Sequence, residues 1–447
     1  MKFVPHSARE VQEMLKFIGL KTLDDLFTDI DDKLILKEPL DLPAPMSELE
    51  LTKHMLTLSE KNGETLHNSC FLGAGAYNHF IPSVVNHIIS RAEFYTSYTP
   101  YQPEVSQGIL QALFEYQTMI AELTGMEVAN SSVYDGATAL AEAAIMASNI
   151  TGKKEISISS AVHPEYREVV RTYCNARDLM LKEVYFRNGV TDLEDLEEIV
   201  SERSAAVLIQ NPNFFGYIED MHKIERICHE KENLLIVSIV EPTSLGILKP
   251  PGEFGADIVT GEGQSFGNPL NYGGPHLGFM GTKYKYVRYL PGRLVGMTAD
   301  TKGRRGFVLT LQAREQHIRR ERASSNICTN HALNALATAI YLSLLGKTGL
   351  KELANLCYQK AHYAYDTIKE IAGFKPIFTS SFYNEFVLKC PVSPEKLNKH
   401  LLKHKIIGGF NLERHYPKLK NAMIFCVTEN NSKTEIDRLV EVLGKMG

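Results

Sequence analysis

The spacing of apolar positions separates the chain into three stretches. Near the N-terminus Val11, Met14, Leu15 and Ile18 recur at helical spacing. They follow Ser7-Ala-Arg-Glu10, where a hydroxyl cap precedes an acid by three residues, so a short helix ending at Gly19 is predicted. Pro39, Pro43 and Pro45 then mark an extended connector. From about residue 65 to 315 two periods alternate. Ile109, Leu113, Gln117, Ile120 and Leu123 share one stripe of a helix predicted over 104–123, with Pro103 at its start and Gly125 at its end. An Ala-rich helix is predicted over 135–149. Short apolar runs at 155–159, 205–209 and 234–240 have the character of buried strands, and amphipathic helices are predicted between them at 192–202 and 220–231. Such alternation predicts an α/β unit with a mainly parallel sheet covered on both faces. The last hundred residues change character again. Helices are expected over 350–371, 393–403 and 434–443, and strands over 379–388 and 422–427. These make a small C-terminal α+β unit, joined through a long helix over 329–345. The expected organisation is a helical arm (1–64), a large α/β domain (65–328), and a linking helix with the small domain (329–447).

Composition narrows the classes of function. The chain has 447 residues, 44% of them hydrophobic and 23% charged, as in ordinary globular proteins. No run approaches the roughly 20 apolar residues of a membrane span. His6, Arg9, Glu10 and Glu13 interrupt any leader-like apolar core, so no membrane association and a cytoplasmic location are expected. A net charge of −5 without a concentrated basic surface argues against nucleic acid as a partner. Seven dispersed cysteines, none in a CxxC pair, read as free thiols. The HxxxH pair His400/His404 lacks the Glu of HExxH and a third ligand, so no metal is expected.

Four segments could carry chemistry. Ser131-Ser-Val-Tyr-Asp-Gly-Ala-Thr-Ala139 places Ser132, Asp135, Gly136 and Thr138 at a helix start, where exposed N–H groups can hold an anion such as phosphate; an ordinary helix cap is the competing account. The glycine-dense run Thr260–Gly278 follows one short strand and precedes another, and suits an active-site or interface loop better than a bland connection. It contains the string Gly263-Gln-Ser-Phe-Gly267, but Asn268-Pro269 and the glycines beyond cannot form the helix that a nucleophile elbow at Ser265 needs. The stretch Phe94–Glu104 carries Tyr95, Tyr98, Tyr101 and Gln102, a rigid polar-tipped surface suited to an interface, a pocket or a packed turn. Arg314–Asn330 interleaves arginines with Glu315 and Glu321, as a solvated salt-bridged face would, and ends in a polar turn containing Thr329 and Asn330.

Together these segments resemble the glycine cleavage system P-proteins, in particular their subunit-1 branch. The matching strings are Phe71-Leu-Gly-Ala-Gly-Ala-Tyr-Asn-His79, Tyr95–Gln107, Tyr134–Ala139, Asn271–Gly278, Arg314–Glu321 and Ser325–Asn330. Pro5-His-Ser7, Ile406–Phe410 and Cys426–Glu429 also match, so the resemblance runs over essentially the whole chain. It implies a fold-type-I pyridoxal phosphate (PLP) enzyme architecture: a large domain with a seven-stranded sheet and a small C-terminal domain.

PLP chemistry needs an amine for the internal aldimine. In this fold the lysine lies after a short strand and before a Gly-rich loop, which corresponds here to Gly263-Gln264-Ser265. No lysine occurs between Lys249 and Lys283. Gln264 cannot form a Schiff base, because an amide nitrogen is not nucleophilic. Glu241 stands where related enzymes place an Asp against the pyridine nitrogen, although its extra methylene and Pro242 depart from that pattern. His163 resembles their ring-stacking His. With Ser132, Gly136 and Thr138 these residues look like an eroded cofactor site, resembling that of the family's subunit 1, and no catalytic residue is expected in this chain alone. The resemblance therefore implies a partner, subunit 2, carrying the lysine and PLP. Together the two would decarboxylate glycine and pass the aminomethyl group to the lipoyl arm of H-protein. Tyr95, Tyr98, Tyr101, Gln102, Thr329 and Asn330 are expected to reach the partner's site. Two alternatives are a self-sufficient homodimeric PLP enzyme and a purely structural or regulatory subunit.

Overall fold

The computed structural model describes residues 6–62, 65, 67–95, 97 and 100–446. The chain divides into two compact units, Met1–Gly63 and Glu64–Gly447. In the smaller, helix Ala8–Phe17 begins in the capping box read from its sequence: the Ser7 hydroxyl accepts from the Glu10 amide and the Glu10 carboxylate accepts from the Ser7 amide. A second capping box, Ser47 with Glu50, starts helix Glu48–Ser59. A single 3₁₀ turn, Asp24–Phe27, lies between them, and the proline-containing stretch beyond it has no regular structure.

The larger unit is built on a seven-stranded sheet. In chain order its strands are β1 (Val128–Ala129), β2 (Glu155–Ser159), β3 (Met180–Val184), β4 (Ser204–Gln210), β5 (Leu234–Ile239), β6 (Ile258–Glu262) and β7 (Gly278–Thr282). Their spatial order is β1-β7-β6-β5-β4-β2-β3. Strands β2 to β6 run parallel, and β7 is antiparallel to both neighbours. The continuous apolar runs of β4 and β5 are buried at every position, as the centre of a parallel sheet requires. Edge strand β3, Met-Leu-Lys-Glu-Val, is half solvated and carries no such run, which is why the apolar pattern does not reveal it. The hairpin Leu294–Ala299 with Arg305–Thr310 is another element the pattern leaves out.

Helix Gly136–Thr151 is buried along eleven of its first twelve positions, and its alanines let the backbone come close to the sheet. Helix Gln107–Thr124 buries Ile109, Leu113, Gln117 and Ile120 and ends at Gly125 with φ 69°. It starts three residues later than the apolar stripe suggests, because Pro103–Val105 forms a separate 3₁₀ turn. The two helices expected at 329–345 and 350–371 are one long element, Ala332–Ile368, bent where Gly346 adopts φ 58°, ψ −174°. It leads to a four-stranded antiparallel sheet ordered Lys375–Pro376, Glu385–Lys389, Ala422–Cys426, Phe410–Asn411, with helices Pro394–Lys403 and Lys433–Gly444. Phe386, Phe425 and Leu439 pack there against Phe214, Phe215 and Tyr217 from the loop after β4. Among the described residues no helix is long and apolar enough to cross a membrane.

Candidate functional site

Parallel strands deliver their carboxyl ends to one edge of a sheet, and that edge is where side chains from distant segments converge. Strand β5 runs out into Glu241, and β6 into Glu262 and the turn at Gln264. Glu241 is buried. Its carboxylate accepts from the Thr243 amide at 3.1 Å, the Ser265 hydroxyl at 2.9 Å and, at 3.2 Å, His79 Nε2. The other ring nitrogen, His79 Nδ1, lies 2.6 Å from Glu429, whose second oxygen accepts from the Phe80 amide at 2.7 Å. Burial works against a charged imidazole here. The two flanking carboxylates outweigh it and keep His79 protonated up to about 10. The result is a buried carboxylate–imidazolium–carboxylate chain. Cys357 Sγ joins it at 3.4 Å from Glu429. His79, Cys357 and Glu429 present donor atoms within 4.8 Å of one another, a spacing a metal ion could bridge, although both ring nitrogens already face carboxylates.

Gln264 has no free hydrogen-bonding capacity at its amide nitrogen. Its side-chain oxygen accepts from the Tyr77 amide at 2.8 Å, and its nitrogen donates to the Tyr77 carbonyl at 3.1 Å and the Asn268 carbonyl at 2.8 Å. The side chain clamps the Gly73–Tyr77 loop to the glycine-rich run in a two-way contact that resembles one rung of a sheet. Tyr77 in turn donates its hydroxyl to Glu385, whose protonation burial pushes up to about 7.

The start of helix Gly136–Thr151 is occupied by carboxylates. Glu262 accepts from Gly136 N at 3.0 Å, Gln264 N at 3.0 Å and Leu277 N at 2.8 Å, with His276 Nδ1 3.6 Å away. Asp135 caps Thr138 N at 2.7 Å and lies 3.2 Å from the Thr138 hydroxyl. Ser132 is buried with φ 114°, and its hydroxyl has no partner. His163 caps the next helix by accepting from Glu165 N at 3.2 Å, and its Nε2 donates to the Ala74 carbonyl at 2.9 Å. Its ring packs against Tyr166 and Phe214 at centroid distances of 4.9 and 4.8 Å. The Gly75 backbone lies so close that a Cβ there would stand 2.7 Å from Nε2. Burial lowers the His163 pKa to about 4, so the ring is neutral. Ser132, Gly136, Thr138, His163, Glu241 and Gln264 thus gather at one edge of the sheet. Tyr134, Asp135, His163, Glu262, His276 and His331 line a cavity of about 600 Å³ there.

The six residues expected to serve a neighbouring chain have different surroundings. Tyr95, Gln102 and Thr329 are exposed. Tyr101 and Asn330 are brought together by Arg293, a buried residue that the motifs do not single out. Its guanidinium donates to Asn330 Oδ1 at 3.0 Å and to the Tyr101 hydroxyl at 3.2 Å, and stands 5.4 Å from the Tyr101 ring centroid. Asn330 also donates to the Ser131 carbonyl at 2.9 Å. Tyr98 lies outside the described residues. His79, Glu429 and Glu385 in the inner group, and Arg293 beside Tyr101 and Asn330, are residues that spacing does not reveal. His79 and Glu429 are 350 positions apart, and only their place in the matching strings marks them.

Comparisons with known proteins agree with this architecture. The family model for the glycine cleavage system P-protein matches residues 1–443. The "Probable glycine dehydrogenase (decarboxylating) subunit 1" of Carboxydothermus hydrogenoformans is 53% identical over 444 residues, 99% of each chain. A protein of the same name from Desulforamulus reducens is 52% identical with the same coverage. A crystal structure of glycine decarboxylase (P-protein) of the glycine cleavage system, in inhibitor-bound form, superposes with a TM-score of 0.92 at 45% identity over the full length of both chains. A sphingosine-1-phosphate lyase from Burkholderia pseudomallei, 13% identical, shares the fold with a TM-score of 0.66 over 92% of each chain. The architecture is that of the fold-type-I PLP enzymes, and the chain belongs to the glycine cleavage system P-protein family.

Proposed function

We propose that this chain is the lysine-less subunit of a heteromeric glycine dehydrogenase (decarboxylating). A second subunit carries the lysine and PLP, and this chain holds no PLP of its own. The complex decarboxylates glycine and transfers the aminomethyl group to the lipoyl arm of H-protein. End-to-end similarity to proteins named subunit 1 supports the heteromeric part.

The observation that carries the rest is Gln264, at the position where an aldimine-forming lysine would stand. It offers no amine, and its side chain is committed to Tyr77 and Asn268. The surroundings do not fit the cofactor either. A phosphate approaching the helix start meets Glu262 and Asp135 already holding the Gly136 and Thr138 amides. Two like charges 4 Å apart near a protein surface repel by about 4 kcal/mol. The Gly75 backbone lies against His163, where a pyridine ring would stack. Glu241 is engaged by His79, Ser265 and Thr243. No step of the reaction is therefore assigned to this edge. Its groups hold the sheet edge and the Gly73–Tyr77 loop in place.

This chain's direct contribution is the rim formed by Tyr95, Tyr98, Tyr101, Gln102, Thr329 and Asn330. These residues line the partner's PLP site or the approach to it, with Arg293 positioning Tyr101 and Asn330. The test is to co-express both subunits, purify each alone and both together, and measure glycine-dependent CO₂ exchange with lipoylated H-protein. Activity only in the mixture, with the PLP chromophore confined to subunit 2, is expected. Activity or a borohydride-reducible adduct in this chain alone would establish the self-sufficient enzyme instead. Full activity of subunit 2 by itself would leave this chain a structural or regulatory role. Tyr95→Phe and Tyr95→Ala in the complex test the rim, and unchanged exchange would remove Tyr95 from it.

A further inference from the structure

The arginines of the 314–330 segment do not form the salt-bridged face that their spacing suggests. Among the described residues only Arg322 of the four meets a carboxylate, Glu321 at 3.8 Å. Arg314 is half-buried and donates to the Leu290 and Gly292 carbonyls, while its Nε, shielded from water, has no partner. Burial pushes its guanidinium down to about 10, as happens to a cation folded in without an anion. These side chains line two clefts of about 570 and 440 Å³, set between the 313–326 segment and the last turns of helices Gly136–Thr151 and Pro164–Ala176. Arg177, Glu321, Ala323 and Ser324 line both clefts, so the two form one hollow. Its walls carry Arg177, Arg288, Arg314, Arg319, Arg320 and Arg322 against Glu142 and Glu321. Glu142 is buried, and burial holds its carboxyl protonated up to about 7. The guanidinium groups of Arg177, Arg288 and Arg320 make no hydrogen bond or ion pair among the described residues.

Six guanidinium groups against two carboxyls leave at least four positive charges around the hollow. The carbonyl ends of the two helices take up at most about half a charge each, so the excess stays positive. The space is that of a small-molecule site, about 300–1,000 Å³. Filling it with balancing charge calls for a compact anion of high charge. Two phosphate groups supply about three to four negative charges at neutral pH, and a guanidinium fork takes phosphate oxygens two at a time. We propose that this hollow binds a small molecule carrying two or more phosphate groups, held by arginine forks from three separate segments of the chain. The 314–326 segment runs on into Cys328 and Asn330, whose carbonyl and side-chain oxygens accept from Arg293. A bound polyphosphate fixes this segment, and with it the rim, and so raises turnover of the complex. The effect on turnover rests on the rim reading above; the binding does not.

Calorimetric titration of the full chain, alone and in complex with subunit 2, tests the site with tripolyphosphate, inorganic phosphate and citrate as probes. Tripolyphosphate should bind both forms with a dissociation constant of about 10 µM or less, at least about tenfold tighter than either other anion. R177Q/R288Q and R319Q/R322Q alter exposed side chains, and each should weaken it at least about tenfold with the thermal unfolding curve unmoved. R203Q, which removes an exposed arginine paired with Glu155, should leave binding unchanged. Saturating tripolyphosphate should raise glycine-dependent CO₂ exchange of the complex at least about twofold, and should not do so with R177Q/R288Q. No binding below about 1 mM, or equal binding by R177Q/R288Q and R319Q/R322Q, overturns the site. Citrate binding as tightly as tripolyphosphate overturns the phosphate class. Binding to the chain alone that disappears in the complex gives the hollow to a protein segment of the partner and overturns the small molecule. Intact binding with unchanged exchange overturns the link to the rim and leaves the site standing. Absence of exchange activity in the complex without any probe counts against the heteromeric reading, not against the site.

Discussion

Two groups of polar side chains in the larger unit differ in how far their hydrogen bonds are already committed. At the inner group, Glu241, His79, Glu429, Glu262 and Gln264 are buried or nearly so, and every one is engaged by several partners from the same chain. At the outer group, Tyr95, Gln102 and Thr329 face solvent, and Tyr101 and Asn330 share a single arginine. A pocket whose donors and acceptors are mutually satisfied gains little from a ligand, because each ligand contact displaces an existing one. Exposed aromatic and amide groups displace only water. A sheet edge whose polar groups are mutually satisfied is thus suited to serve as scaffold.

The sharpest way to break this comparison is at the inner group. Glu241→Ala should destabilise the chain by about 3–5 kcal/mol, since it leaves the His79 imidazolium half-paired in the interior. Thermal unfolding measures this. The exchange activity of whatever complex remains folded should be unchanged per molecule, and a loss of turnover at full folding would return Glu241 to the chemistry. Gln264→Lys comes next. It should cost about 3 kcal/mol by burying an ammonium in place of the Tyr77 clamp. No borohydride-reducible PLP adduct should form. An adduct would mean that the carboxylates at the helix start do not exclude the phosphate.

The same group predicts a pH dependence. His79 has its folded pKa raised above the unfolded value, to about 10. Its contribution is fully present below about pH 6.5 and is lost as pH rises through about 10. Burial raises Glu385 to about 7, so the folded state also binds the extra proton between about pH 4.5 and 7. Both effects lower stability as pH rises. His79→Gln should flatten the decline between pH 6.5 and 10 by up to about 1.4 kcal/mol per pH unit, measured by denaturant titration at a series of pH values. An equally steep decline in that variant would put the lost proton elsewhere.

The smallest stability effects belong to the rim, where activity should move instead. Tyr101→Phe removes one hydrogen bond from Arg293 and should cost about 1 kcal/mol. Thr329→Ala should stay within about 0.5 kcal/mol. If the rim serves the partner's site, both should lower glycine-dependent CO₂ exchange in the complex by more than their stability loss explains. Parallel losses of activity and folded fraction would count against that role.

Much of this architecture is legible without coordinates, because it depends on contacts within a few residues or on uninterrupted apolar runs. The capping box at Ser7, the buried strands read at 155–159 and 205–209, the helix end at Gly125 and the missing lysine around Gln264 are all local facts of the chain. Local pattern fails where exposure or neighbours decide. The half-solvated edge strand Met180–Val184 has no apolar run to show, and Gly346 bends a helix that spacing divides in two. The inner network is wholly a product of folding. His79, Glu241 and Glu429 come from three distant segments, and each alone is an ordinary titratable side chain. Only at the shared edge of the sheet, out of water, do the two carboxylates fix the imidazole's charge. Sequence alone determined that this chain cannot form an aldimine at Gln264, because that requires only the absence of an amine. What fills the place of the missing chemistry was decided by tertiary structure, because hydrogen bonds between residues hundreds of positions apart exist only once the chain has closed around them.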